Sequence, residues 1–159
     1  MRLGIEKLKN AKVAIFGIGG VGSFVAEGLV RAGIENFILV DDDKVCLTNL
    51  NRQIIATRKT IGKYKVDVMK ERILDINPDA KVETVQEFYM PNSENQIITS
   101  DLSYVADCID TVTAKIELVK NCKGIEFLFG VKLNNAVVNK YKHLGKIVFQ
   151  IKLDASMCR

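Results

Sequence analysis

Residues 12–43 read KVAIFGIGGVGSFVAEGLVRAGIENFILVDDD, and their order predicts a strand, a tight turn, a helix and a second strand. Lys12 to Phe16 is a short apolar run that meets glycine at once, as a buried parallel strand entering a turn does. From Val21 to Ala32, Val21, Val25 and Leu29 recur at helical spacing with Phe24 and Gly28 between them, and Gly33 stands where a helix stop is expected. Phe37 to Val40 is again apolar and ends in Asp41, Asp42 and Asp43, which closes a βαβ unit.

Beyond this unit, residues 44–62 are polar and irregular. Lys63 to Ile76 returns to helical spacing through Val66, Met69, Ile73 and Ile76, and Pro78 stops it. Strands are expected at Lys81 to Val85 and Tyr104 to Ile109, a short helix over Asn92 to Thr99, and a further helix over Val112 to Asn121. After Cys122 the signal weakens, although Lys146 to Leu153 alternates like a half-exposed strand. The alternation predicts an α/β, Rossmann-like fold: a mostly parallel sheet with helices on both faces.

Composition narrows the class. A chain of 159 residues with 48% hydrophobic content can bury one sizeable core. No apolar run approaches the ~20 residues of a membrane span, and MRLGIEKLKN lacks the layout of a signal peptide, so a cytoplasmic protein with no membrane partner is expected. Cys46, Cys108, Cys122 and Cys158 are widely spaced with no C-x-x-C pair, which argues against a zinc knuckle or a disulfide framework. With His143 as the lone histidine, a His-based metal cluster or catalytic triad has little to build on. A net charge of +4 permits an RNA partner without requiring one.

Gly17, Gly19, Gly20 and Gly22 fit G-x-G-x-x-G between a predicted strand and a predicted helix. Gly17 allows the sharp turn, Gly19 and Gly20 leave the backbone bare for phosphate oxygens, and Gly22 lets the helix pack closely. The helix N-terminus then presents free N–H groups to an anion. Asp41 follows about twenty residues later, where a carboxylate accepts hydrogen bonds from ribose hydroxyls. At this point NAD and ATP fit equally well.

The stretch 41–53, DDDKVCLTNLNRQ, is more than a simple dinucleotide site requires. With ATP in the pocket, Arg52 and Lys65 can neutralise phosphates while Asp110, at the end of a strand, can hold Mg²⁺. Each has a plainer explanation when taken alone. Asp41 could be a surface turn, Arg52 and Lys65 solvated cations, and Asp110 the cap of the helix after it. Cys46 and Cys108 are expected to be buried small side chains with nothing beside them to lower a thiol pKa.

At GIGGVGS, VDDDKVCLTNLNRQ, GKYKVDVM, INP at 76–78 and SYVADCIDTVTAK, the chain resembles the family of ThiF, MoeB and HesA proteins, relatives of the ubiquitin-activating enzymes. Within it the likeness is greatest to the tRNA threonylcarbamoyladenosine dehydratases. The resemblance covers about residues 3–122 and implies ATP-dependent adenylation of a carboxylate, most simply that of threonylcarbamoyladenosine at position 37 of certain tRNAs. It implies ATP contacts at Gly20, Asp41, Asn49, Arg52 and Lys65, with Asp43, Gln53 and Thr111 in the same set and Asp110 as the Mg²⁺ ligand. The implied catalytic residues are Arg52, Lys65 and Asp110.

Asp110-Thr111 stands where sulfur-carrier adenylyltransferases read Asp-Asn, which favours the dehydratase branch. Residues 1–122 are then the adenylation domain and 123–159 a divergent C-terminal segment of it. Family members are homodimers in which an arginine preceding the matched segment reaches the partner's ATP, and MRLGIEKLKN is expected to enter after that arginine. The alternatives are a sulfur-carrier adenylyltransferase working with a sulfur-transfer protein, an NAD-dependent oxidoreductase, and a catalytically impaired nucleotide-binding module.

Overall fold

A computed structural model of the chain describes residues 2–90 and 97–122, with the backbone of two further strands at 126–129 and 147–150. Helix α1 (Arg2–Asn10) precedes β1 (Lys12–Phe16), α2 (Gly22–Arg31) and β2 (Asn36–Val40). A connection with one 3-10 turn at Leu47–Asn49 leads to α3 (Lys65–Ile76), β3 (Lys81–Val85), β4 (Tyr104–Asp107), α4 (Val112–Asn121), β5 (Glu126–Phe129) and β6 (Ile147–Gln150). The strands pair in parallel in the order β3-β2-β1-β4-β5-β6. This is the expected Rossmann-like α/β fold.

Why the inner strands are almost wholly apolar is visible in the two halves of the core. Val13 and Ile15 of β1 and Phe37 and Leu39 of β2 pack with Val25 and Val30 of α2 and Met69 and Ile73 of α3. The alternate residues, Ala14, Phe16, Ile38 and Val40, pack on the opposite face with Leu118 of α4 and with Tyr89. A sheet covered on both faces leaves no polar side to its central strands. Each fully buried side chain of this size, such as Phe16 or Leu39, contributes about 1.5–3 kcal/mol of transfer free energy.

Several local expectations need correction. Residues 2–10, assigned no element from sequence, form α1, whose Ile5 and Leu8 remain partly exposed. Strand β4 ends at Asp107 rather than Ile109, because the Asp107 carboxylate accepts the Ile109 N–H at 3.1 Å and turns the chain out of the ladder. Of the helix expected over Asn92 to Thr99, residues 91–96 lie outside the described residues and 97–99 are irregular. β5 was not foreseen, whereas β6 falls within the strand expected over Lys146 to Leu153, whose other residues are outside the description.

The sheet positions the site by its order. β1 lies between β2 and β4, so the chain leaves β1 and β4 in opposite directions and a crevice opens at their carboxyl ends. The glycine loop, Asp41 and the 108–111 turn all begin at that edge.

Candidate nucleotide-binding site

Gly17 leaves β1 with φ of +88°, and its N–H donates to the Val40 carbonyl at 2.8 Å, which ties the loop to the end of β2. A side chain there would strike the Cys108 carbonyl oxygen at 2.6 Å, so the left-handed backbone and the close approach both require glycine. At Gly22 a Cβ would lie 1.8 Å from the Gly17 carbonyl oxygen. The first turn of α2 therefore packs on the loop itself. Buried Ser23 locks the arrangement by donating its hydroxyl to the Gly19 carbonyl at 2.6 Å.

Asp41 is set into the same loop. Its Oδ2 accepts the Ile18 N–H at 2.6 Å and its Oδ1 accepts the Asp43 N–H at 2.9 Å. Burial pushes its carboxyl above the ordinary range, and the Asp43 N–H, the Lys65 charge and the Ile18 N–H pull it part of the way back. Lys65, at the start of α3 and 5% exposed, holds its Nζ 2.5 Å from Asp43 Oδ2 and 3.8 Å from Asp41 Oδ1. A cation brought out of water in this way has carboxylates to compensate it.

Asn49 and Gln53, from the 3-10 connection, are buried along the cleft, with Gln53 Nε2 3.9 Å from where a Gly19 Cβ would stand. The Asn49 Oδ1 accepts the Cys46 N–H at 3.0 Å and closes the 3-10 turn. Gln53 Oε1 is buried with no hydrogen-bond partner among the described residues. An orphaned acceptor costs about 1–3 kcal/mol, and a ligand donor would relieve it. Arg52 is exposed, and its stem runs beside Gly20, 3.6 Å from where a Cβ would stand. Its Nη1 donates to the Thr48 carbonyl at 2.9 Å and the Asn51 Oδ1 at 3.0 Å.

Every residue of the sequence-based set except Gly22 lines one cleft of about 340 Å³: Gly17, Gly19, Gly20, Asp41, Asp43, Asn49, Arg52, Gln53, Lys65, Asp110 and Thr111. Gly22 acts from behind, as packing. Asp110 does not cap α4, since that position falls to Thr111. Asp110 is exposed and lines the cleft.

The cysteine expectations divide. Cys108 is buried, and burial pushes its thiol up to about 12. Cys46 is exposed rather than buried, because the 3-10 turn holds it at the surface. Its Sγ lies 3.0 Å from Thr48 Oγ1, a contact that lowers its pKa, contrary to the expectation of no such neighbour.

Some residues around the cleft were not foreseen. Phe88 stands 46% exposed in the wall beyond β3, next to Tyr89, which packs edge-on against Phe16 at 4.9 Å. Beneath the 108–111 turn, Asp107 and Lys115 form a buried ion pair at 2.8 Å. The D-x-x-D spacing of Asp107 and Asp110 was the available signal, but Asp107 was read as part of a strand.

A parallel sheet with a glycine loop at its switch point, a carboxylate at the end of the next strand and buried polar groups in the same cleft define a Rossmann-like α/β protein with a polar cleft at its switch point. The ThiF family matches residues 2–132, and the chain belongs to that family. It is 49% identical over 119 residues to the tRNA threonylcarbamoyladenosine dehydratase of Bacillus subtilis, covering 75% of this chain and 47% of the relative. With the molybdopterin-synthase adenylyltransferase of Escherichia coli the identity is 33%, over 75% of this chain and 47% of that one.

The structure of E. coli tRNA N6-threonylcarbamoyladenosine dehydratase in complex with ATP superposes with a TM-score of 0.77 at 41% identity, covering 80% of this chain and 53% of that one. The chain thus spans about half the length of the curated relatives it matches. No helix among the described residues is long and apolar enough to cross a membrane.

Proposed function

We propose that the chain forms the ATP site of a tRNA threonylcarbamoyladenosine dehydratase. The observation that carries this reading is the convergence of the glycine loop, Asp41, Lys65 and the unpartnered Gln53 Oε1 in one cleft. The 49% identity to the B. subtilis dehydratase supports the choice of substrate. On this reading the N–H groups at Gly19, Gly20 and the start of α2 receive phosphate oxygens. Asp41, already fixed by two N–H donors, takes the ribose hydroxyls with its remaining lone pairs. Arg52, beside Gly20, and Lys65, beside Asp41 and Asp43, neutralise the triphosphate, with Asn49 and Gln53 lining the same cleft.

The site then works by placement. A substrate carboxylate oxygen attacks the α-phosphorus of ATP in line, and the bond to pyrophosphate breaks. The substrate's own carbamoyl nitrogen next attacks the activated carbonyl carbon and loses its proton to solvent. AMP leaves, and a cyclic hydantoin remains. No protein nucleophile is needed, and among the described residues the cleft is lined by no serine or histidine. Asp110 and Thr111 offer oxygens for Mg²⁺, which when bound would supply charge neutralisation on the phosphates. The setting is cytoplasmic and the working form a homodimer.

A second reading, adenylation of a sulfur-carrier protein in company with a sulfur-transfer partner, is favoured by the 33% identity to the molybdopterin-synthase adenylyltransferase. Pyrophosphate release measured with ATP and Mg²⁺ separates the two. Stimulation by tRNA bearing threonylcarbamoyladenosine is the expected result. Stimulation by a sulfur-carrier protein instead, or by neither, overturns the first reading.

A further inference from the structure

Asp107 closes β4 with its side chain wholly buried, three residues before Asp110. Its Oδ1 accepts the Ile109 N–H at 3.1 Å, and its Oδ2 lies 2.8 Å from Nζ of Lys115, buried in the first turns of α4. One carboxylate thus ties together a strand end, the middle of the turn and the following helix. Asp110 and Thr111 sit between those anchors, and both face the cleft. The turn is also wedged against the glycine loop, because the Cys108 carbonyl occupies the space a Gly17 side chain would need.

Stability alone is a poor reason for such a pair. Desolvation costs several kcal/mol per ion, and apolar replacements of like shape are often neutral or stabilising. The contact here lies off the hydrogen-bonding direction, so neither Asp107 Oδ2 nor Lys115 Nζ has a well-directed hydrogen bond among the described residues. What the pair does provide is a fixed tie across a turn that has no other buried charge.

We propose that Asp107 and Lys115 are positioning residues, whose buried pair holds the β4–α4 turn so that the Asp110 carboxylate faces the phosphate end of the cleft, where a divalent cation would sit. The inference rests on the nucleotide reading given above. Asp107 and Lys115 act only through Asp110, and neither lines the cleft.

The test replaces both charges in the full chain, Asp107→Asn together with Lys115→Met, so that no ion is left buried alone. ATP affinity is measured by calorimetry with and without Mg²⁺, and the thermal midpoint is recorded. The midpoint and the Mg²⁺-free affinity should be retained. The strengthening of ATP binding by Mg²⁺ should fall about tenfold or more, the scale on which removal of an outer-shell partner weakens a metal site. An unchanged Mg²⁺ effect in the folded double variant overturns the proposal.

Should that variant not fold, Asp107→Glu keeps both charges but lengthens the tie by one methylene. Loss of the Mg²⁺ effect at a retained midpoint then supports the clamp, and an unchanged effect overturns it. A parent chain that binds ATP with no response to Mg²⁺ overturns the clamp alone. A parent chain that binds no ATP overturns the nucleotide reading as well.

Discussion

Replacing Lys65 with methionine removes one positive charge from the cleft and leaves nearly everything else in place. The lysine stem is buried, and methionine fills similar volume with a flexible apolar chain, so packing should survive. Asp41 loses a cation at 3.8 Å but keeps the N–H donors of Ile18 and Asp43. A hydrogen bond from a charged group to phosphate is worth about 1.5–3 kcal/mol. Against that stands the contact Lys65 must surrender when ATP enters. Its partner Asp43 has a side chain 65% exposed, and a pair so open to water is worth no more than about 1 kcal/mol.

The difference, about 0.5 to 3 kcal/mol, corresponds to an increase of about 2- to 160-fold in the Kd for ATP. Calorimetric titration of the parent and Lys65→Met chains with ATP measures it. Adenosine, which has no phosphate, serves as the control and should bind both chains alike. A folded Lys65→Met chain with the parent's affinity for ATP would refute the reasoning, since Lys65 would then have no phosphate to neutralise.

Helix α2 offers paired substitutions of opposite sign. Gly22→Ala forces a methyl onto the Gly17 carbonyl and should cost about 2–3 kcal/mol, lowering Tm by about 5 °C or more. Gly28→Ala meets nothing within 4 Å and should raise stability by about 0.5–1 kcal/mol; thermal melts check both. Glu27 binds Arg72 of α3 and Arg31 of its own helix, and the Arg72 contact first of all holds its carboxyl below the ordinary range. Its contribution is therefore present above that range and is lost as pH falls through the lowered value. Glu27→Gln should cost about 1–2 kcal/mol near pH 7 and lose less than the parent on further acidification, as followed by denaturation across pH.

Asp41 and Asp107, both raised by burial, contribute with the opposite sign: their stabilisation is present at low pH and is lost as pH rises through the raised values. Alkylation of the native chain at neutral pH should label exposed Cys46 well before Cys108 and Cys122, whose thiols burial pushes up to about 12. Mass mapping of peptides reads the order, and equally fast labelling of Cys108 would contradict the packing described.

The sheet was legible because its signals are local. KVAIF and FILV are strands buried on both faces, and each ends in a residue that cannot continue it, Gly17 or Asp41. The candidate cleft was legible for a different reason. Its glycines, Asp41, Lys65, Asp110 and Thr111 follow strand ends or open a helix, and a doubly wound sheet gathers such ends at one edge, whereas Asn49, Arg52 and Gln53 come from the 3-10 connection and were marked by the distinctive run DDDKVCLTNLNRQ. What escaped notice depends on distant contacts. The Asp107 side chain, second in ADCID, declares its role only through Lys115 on the next helix. Cys46 stays exposed because Asn49 draws its N–H into a 3-10 turn. Nor does any local pattern foretell that Arg52 donates to the Thr48 carbonyl. β5 went unnoticed although its short apolar run, EFLF, stands between Gly124 and Gly130, a local signal that the sequence does carry.

The most direct test of the central claim is a pair of parallel calorimetric titrations of the chain, one with ATP and Mg²⁺ and one with NAD. Saturable ATP binding, strengthened by Mg²⁺ and undisturbed by NAD, is the predicted result. Tight NAD binding that ATP fails to displace, or no heat with ATP, would contradict the account.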